Sequence, residues 1–397
     1  MVTLQSAENA LKTVYLGTIS DLLNTRVNPL LAKFEQTSVN VSGKEIRMAV
    51  RTSIDGGIGA GDETGELPRA NGTNYLQFVI TLKNLYGQIE ISDKSIRAGG
   101  DTKGAFTNLL NQSLDGLLES SRYNLSRMLY GNGTGELGEF RQSNPNNYSE
   151  FEFVNNYSNI NNVQEGMIVD WYDEMNDVTP HKRGLRIKTI DRYAAKPFLV
   201  LEGVTEKATD FPHLYLQGSR DKEITGLKAI FETFRPLYGL DRKEHKILLP
   251  YVDNTKKKVS DLVFSNVVDT IENITSSTVD FIAVAQNVKL AYQNYLSTFK
   301  RNVDIMELKG GYKSISFNGI PVVSERFVDN NQAYFLDTTA FKLHQLCDWQ
   351  FIENENGRVL RQTQGKPTYS ATLVKYCDLV CSRPNGQGKL LLDATIS

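Results

Sequence analysis

The sequence holds only three cysteines, Cys347, Cys377 and Cys381, and four histidines, His181, His213, His245 and His344, in 397 residues. Three thiols cannot build a disulfide framework, so a reducing, cytoplasmic place of synthesis is expected. No two histidines stand at the helical spacing that a zinc enzyme needs. Cys377 and Cys381 fall in a run, TLVKYCDLVC, that reads as a strand with both sulfurs on one face. They suit small buried apolar positions, with a thiol metal site including Cys347 as the alternative. No run of about 18 apolar residues occurs, which excludes a spanning helix. The start, MVTLQSAENALKTVYLG, lacks the basic, apolar and cleavage regions of a signal peptide. An excess of one charge is also missing. With 44 basic and 46 acidic side chains the net charge is −2, which excludes a protein that coats nucleic acid through its overall charge.

Motifs of catalysis are equally scarce. The glycine-dense stretch GGIGAGDETGELPRANG, 56–72, superficially resembles a phosphate loop. Asp62 stands where a third glycine would be required, no Gly-Lys-Ser/Thr follows, and Glu63 and Glu66 would repel phosphate. A long loop is the reading. There is no Gly-x-Ser-x-Gly elbow. The acidic cluster Asp170, Asp173, Glu174 and Asp177 lacks the glycine and spacing of a calcium loop and reads as a solvated turn. No catalytic residue, cofactor or metal is expected. What is present is an ordinary globular balance, 40% apolar and 23% charged, long enough for two or three compact units.

Along the chain, residues 8 to about 34 read as helical, with Leu11, Val14, Tyr15, Thr18 and Leu22 at three- and four-residue steps until Asn28-Pro29 breaks the pattern. This segment has few partners near it in sequence and is expected to dock elsewhere. Alternation follows: Val39, Val41, Ile46, Met48 and Val50, then a run from Tyr75 to Ile91 with Leu76, Phe78, Ile80 and Leu82 on one face. The two runs flank the glycine-rich stretch, giving a long hairpin too narrow to bury itself. A neighbouring subunit is the obvious cover.

The clearest helix spans Thr102 to Tyr130, with Asp101 as N-cap and Gly131 as C′ glycine. Phe106, Leu109, Leu110, Leu114, Leu117, Leu118, Leu125, Met128 and Leu129 fall on one side, and Asn108, Gln112, Asp115, Glu119, Arg122 and Ser126 on the other. Such a helix is about 40 Å long and packs one face on a sheet. Phe140 to Asn162, rich in Asn, Tyr and Ser, reads as loop and edge structure opening an inserted unit. MIVDWY, GLRIKTID and PFLVLEGV then mark the short strands of a small β-rich domain. From about Thr225 the pattern is mixed. Val259 to Ile274 is amphipathic, DFIAVA is a buried strand, and Asn287 can cap a helix bearing Val288, Ala291, Tyr295 and Phe299. SISF-NG-IPVVS is a hairpin turning on Asn318-Gly319. AYFLD, DWQFIEN, GRVLRQ and SATLVKYCDLVC close the chain as strands, with ENENG a polar loop between them. Lys256, Lys257 and Lys258 form the densest cationic run, which an exposed helix start explains as well as a patch facing nucleic acid does.

This order resembles the major capsid protein of tailed bacteriophages, whose fold is named after coliphage Hong Kong 97. YGQIEISDKSIR, 86–97, matches the strand leading into that family's spine helix, and LLESSRYNLSRMLYGNGTG, 117–135, resembles the helix running into its Gly-Asn-Gly-Thr-Gly exit. GGYKSISFNGIPVVSE, YFLDTTAFKL and DWQFIENENGRVL are similar to its later strands. The resemblance covers most of the chain and is weakest over 140–220. It implies an α+β, Hong Kong 97-type capsid fold with an inserted β-rich domain. Residues 1–38 would be the N-terminal arm, 39–84 the extended E-loop hairpin, 85–139 with 345–383 the peripheral domain, 140–224 the insertion, and 225–344 with 384–397 the axial domain.

The implied function is a non-enzymatic head protein in a virion, assembled in the host bacterial cytoplasm into the pentamers and hexamers of an icosahedral shell. Its implied partners are itself, a separate scaffolding protein and portal, non-specifically enclosed double-stranded DNA and a decoration protein, with no membrane. Asp62, Glu63, Glu66 and Arg69 at the hairpin tip are expected to meet a neighbouring subunit, as are Glu353, Glu355, Arg358 and Arg361 of the peripheral loop. No lysine lies between Lys44 and Lys83, so the covalent E-loop cross-link of some relatives is not expected. The alternatives are an encapsulin-type compartment packaging protein cargo and, more remotely, a cytoplasmic hydrolase using a carboxylate pair under the hairpin as lid.

Overall fold

A computed structural model describes residues 22–23, 28–52, 57–66, 68–69, 72–94, 103–144, 147–154, 157–175, 177–208, 212–275, 277–299, 305–308, 312–353 and 357–395. The first expected helix lies mostly outside them. Its end is a single 3-10 turn, Leu31–Lys33, leading into strand β1, Glu35–Thr37. Alternation then yields β2 (Val41–Ser42), β3 (Glu45–Arg51) and β4 (Tyr75–Thr81), an antiparallel sheet in the order β2-β3-β4. The run expected to be continuous from Tyr75 to Ile91 is two strands. After Leu82 the chain leaves the hairpin, and β5, Lys83–Ser92, enters a different sheet with Leu85, Ile89 and Ile91 turned inward.

Those three residues receive helix α1, Lys103–Tyr130, on Leu114 and Leu125, with Leu117 and Leu118 beside them. Gly87 faces the same way, and a Cβ there would stand 2.7 Å from Leu117 Cδ1, so glycine allows the close approach. Gln112, Asp115, Glu119 and Arg122 are exposed as expected, but Ser126 is buried, as is Arg127. The one-sided stripe therefore fails over the last turn, where later segments cover the helix all round. Asp101 and the side chains of Phe106, Asn108, Leu109 and Leu110 lie outside the described residues. Gly131 is not left-handed; the chain turns instead at Gly133 (φ 83°) and Gly135 (φ 78°).

Six strands then close into a barrel of order β10-β7-β6-β11-β8-β9: β6 Glu136–Asn144, β7 Asn147–Phe153, β8 Ile168–Tyr172, β9 Lys182–Asp191, β10 Phe198–Leu201 and β11 His213–Leu216. The stretch read as loop and edge is a hairpin of this barrel, because Phe151 and Phe153 alternate inward against Phe140 and Trp171. A separate apolar core fills the barrel, with Leu137, Val169, Ile187, Leu199 and Leu214 buried. Asp170, expected in a solvated turn, is buried in β8. Its two oxygens accept the amides of Gly184 and Gly218, both at 2.9 Å.

Beyond the barrel come α2 (Leu227–Phe231), β12 (Tyr251–Lys258), α3 (Asp261–Thr275), β13 (Phe281–Val284), α4 (Gln286–Phe299), β14 (Ile305–Leu308), β15 (Tyr312–Phe317), β16 (Ile320–Ser324) and β17 (Gln332–Leu336). With β21, Gly388–Asp393, they build a mixed seven-stranded sheet of order β12-β21-β17-β13-β16-β15-β14. β13 is buried at every position, and α3 seats Phe264, Val267 and Ile271 on the sheet. Ile274, expected in that stripe, is exposed. Asn318 (φ 48°) and Gly319 (φ 81°) make the expected tight turn, both left-handed as a type I′ hairpin demands. Asn287 does not cap α4. It lies inside the helix and donates to Asn331 Oδ1 at 2.7 Å. Lys256–Lys258 end the edge strand β12 rather than start a helix, where their charge discourages further strand pairing.

The last long strands, β18 (Phe341–Phe351) and β20 (Thr368–Cys381), pair antiparallel. β20 carries β5 on its other side, β1 joins β18 in parallel, and β19 (Arg361–Gln362) completes this sheet. Cys377 and Cys381 are buried among its apolar residues, and burial lifts the Cys377 thiol to about 12.

The barrel leaves and rejoins the rest at one root. Asp221 N donates to Thr134 O at 2.8 Å, and Arg127 forks onto Glu223, with Nη1 to Oε2 at 3.0 Å. Gly226 then lies against the end of α1. A Cβ on it would stand 2.3 Å from Met128 O and 2.5 Å from Gly131 O, both rigid backbone atoms. Its own φ of −81° suits any residue, so the close approach alone demands glycine. Gly226→Ala is expected to cost about 3 kcal/mol by forcing these segments apart. The check is a lowered urea midpoint at unchanged slope.

Candidate assembly surfaces

The hairpin divides into a seated base and an uncovered tip. Alternation along β3 and β4 turns Ile46, Val50, Phe78 and Ile80 to one side, where with Leu82 they pack on Leu237, Tyr238, Leu248 and Val380. The base is therefore covered by its own chain, contrary to the expectation that a neighbour must do so. The tip is different. Every residue from 57 to 66 is exposed, Ile58 at 93%, and Tyr75 on the outer face of the base is 65% exposed.

Asp62, Glu63, Glu66 and Arg69 all lie on that tip, all exposed, with Gly65 N closing a turn onto Asp62 O at 3.1 Å. The second predicted set is only partly gathered. Glu353 and Arg358 are exposed, Arg361 Nη2 donates to Glu353 O at 2.9 Å, and Glu355 lies outside the described residues. The two sets belong to different sheets, since the tip extends from β3 and β4 whereas the loop joins β18 to β19.

Sequence reading missed the residues that hold the segment before the hairpin. Asn28 Nδ2 donates to Glu325 at 3.1 Å, Lys33 Nζ to Asp280 Oδ2 at 3.0 Å, and buried Lys375 Nζ to Gln36 at 3.0 Å. His344 Nδ1 donates to Val39 O at 2.9 Å, and burial lowers its pKa. The partners lie some 250 to 340 positions away in sequence, which no local pattern reports. Asp378 was likewise missed. Its carboxylate binds Thr225 N at 2.6 Å and Thr225 Oγ1 at 3.1 Å, tying the barrel root to β20.

Burial raises the Asp378 carboxyl to about 6 and the Glu325 carboxyl to about 7. They belong to separate hydrogen-bond sets, and neither lines the cavity of about 1030 Å³ between β5, α1 and residues 216–223. Both carboxyls bind protons more tightly folded than unfolded. Their contribution to stability is therefore fullest below the ordinary carboxylate range and is lost as pH rises through 6 to 7. From Glu325 alone, moving from pH 8 to pH 5 should add about 2–3 kcal/mol. Glu325→Gln keeps an acceptor for Asn28 without a charge. It is expected to be more stable than the native chain at pH 8 and to show a flatter stability–pH profile by urea unfolding. An unchanged profile would refute this.

No protein-family model and no curated protein matches this chain. Solved structures do. A chain of the cyanophage A-1(L) capsid asymmetric unit superposes with a TM-score of 0.56 at 12% identity, over 93% of this chain and 94% of that one. A Mycobacterium phage Adephagia chain gives 0.44 at 8% identity over 93% and 91%, and the SrpI encapsulin of Synechococcus elongatus PCC 7942 gives 0.47 at 8% over 93% and 90%. The cyanophage chain is matched over nearly its whole length, and on that match this chain has the fold of a phage capsid protein.

Proposed function

We propose that this chain is the major head protein of a phage, assembling as pentamers and hexamers into an icosahedral shell around double-stranded DNA. The observation that carries this is the hairpin: its base is fixed on its own subunit while its tip, 57–66, is exposed throughout. A projecting segment of that kind gains burial only from another molecule. In this reading, 39–84 is the E-loop, lying over a neighbour, and 1–38 is the arm. Residues 85–139 with 345–383 form the peripheral domain, and 225–344 with 384–397 the axial domain. The barrel region, 140–224, is an insertion on the outer face.

The net charge of −2 suits a wall that encloses DNA without gripping it. Contacts through Asp62, Glu63, Glu66 and Arg69, and through Glu353, Glu355, Arg358 and Arg361, would be rim ion pairs of about 0–1 kcal/mol each, so closure rests on many weak contacts. A separate scaffolding protein and portal would direct assembly in the host cytoplasm, and decoration proteins could meet the barrel. The chain has no catalytic role in this account.

Electron microscopy of the purified protein, with and without a candidate scaffolding protein, tests the reading directly. Hollow polyhedra or rings of five and six are expected, and a monomer under every condition would refute it. Nucleic acid inside the particles fits a head protein, whereas co-purifying enzyme cargo would favour the encapsulin alternative. Deleting residues 54–70 should leave folded subunits that no longer close into shells; normal particles would overturn the role given to the hairpin. On a denaturing gel the assembled shell should run as a single band, because the tip has no lysine to supply a cross-linking amine. A ladder of multimers would contradict this.

A further inference from the structure

Leu237 and Leu240 exchange backbone hydrogen bonds, each N–H to the other's carbonyl at 3.0 Å, so Tyr238 and Gly239 form a two-residue hairpin turn. Both central residues are left-handed, Tyr238 at φ 54° and Gly239 at φ 80°. The second suits glycine. The first is a place where asparagine, aspartate or glycine sits without strain and a bulky side chain does not. A strained residue persists only where its surroundings over-determine it, which makes the tyrosine itself the feature to explain.

Its surroundings are the two parts of the molecule that the hairpin joins. On the hairpin side, Val79 N donates to Tyr238 O at 3.4 Å, and the ring lies 5.0 Å from that of Phe78. On the sheet side, the hydroxyl accepts from Cys381 N at 2.8 Å and faces Leu379 O at 3.5 Å, at the end of β20. The side chain is 6% exposed. The turn is itself braced by buried Arg242, whose guanidinium donates to the carbonyls of Ile230 and Arg235 at 2.8 Å and of Leu248 at 2.6 Å.

We propose that Tyr238 is a positioning residue for assembly: a wedge that locks the hairpin to the end of β20 and so sets the direction in which its tip leaves the subunit. This rests on the reading of the hairpin as a subunit contact. An asparagine at 238 would relieve the backbone and remove the wedge; a phenylalanine would keep the ring and lose only the hydroxyl.

The test is hydrogen exchange on unassembled full-length chain, comparing the native protein with Tyr238→Phe and Tyr238→Asn. In Tyr238→Asn, exchange over 45–51 and 75–81 should rise by about tenfold, with a smaller rise in Tyr238→Phe, while 281–284 and 332–336 stay protected. Shell yield should fall in the same order. A merely structural tyrosine would raise exchange in both sheets together, and that result, or no change at all, would overturn the wedge. A loosened hairpin with normal shells would support the wedge and refute the hairpin's part in assembly.

Discussion

The close seat of Gly226 on the carbonyls that end the long helix is the constraint on which the rest of the molecule depends. Helix ends leave carbonyls unsatisfied, and a buried end must be covered by something that approaches closely. Here the covering segment is the chain returning from the barrel, and it approaches backbone to backbone. That contact buries Arg127, which must then find a partner, and Glu223 of the same returning segment provides it. It also delivers Thr225 to Asp378, so the barrel root, the helix and β20 meet at one point. A whole barrel fits between the long helix and the segment that returns to it because the two connections are tied together at the root, Asp221 N to Thr134 O.

Many elements were legible in the sequence because their apolar residues are either one-sided or, as in DFIAVA, unbroken. The long helix, the Asn318-Gly319 hairpin, the buried strand DFIAVA and three strands of the barrel, β8, β9 and β10, follow from period, apolar runs and turn chemistry. The errors share a cause. Ser126 falls on the wet face of the amphipathic stripe, yet it is buried, and its neighbour Arg127 is paired with Glu223, about a hundred positions later. The Asn- and Tyr-rich stretch was read as loop because its composition is that of loops, while Phe151 and Phe153 already carried the alternation of a strand. Asp170 reads as one of four solvated acids, but β9 and the turn after β11 bring two glycine amides to it. Long-range polar partners have no periodicity, and none of them could be read.

The exposed tip residues were legible for the opposite reason. Glycine and charge with no apolar rhythm report that a segment buries nothing on its own chain, and Asp62, Glu63, Glu66 and Arg69 do lie outside every apolar cluster. What the pattern could not report is that the base of the hairpin would be seated so firmly. Leu237, Tyr238 and Leu248 come from a stretch that holds only a β-bridge and a short 3-10 turn, and no apolar rhythm marks it as the seat of the hairpin.

The three apolar clusters stay separate, one spanning the two large sheets, one filling the barrel and one under the hairpin. Apolar burial is strong but has no direction, so it fixes that these units form and says little about the angles between them. Those angles fall to directional bonds: Arg127 to Glu223 and Asp378 to Thr225 at the barrel root, and Tyr238 to Cys381 under the hairpin. Each contributes on the order of 1–3 kcal/mol, little beside the clusters. For a lone globule such bonds would be a minor refinement. In the closed shell proposed for this chain, an error at one joint would be repeated in every copy. Closure would then depend on interactions that add little to the stability of the subunit itself.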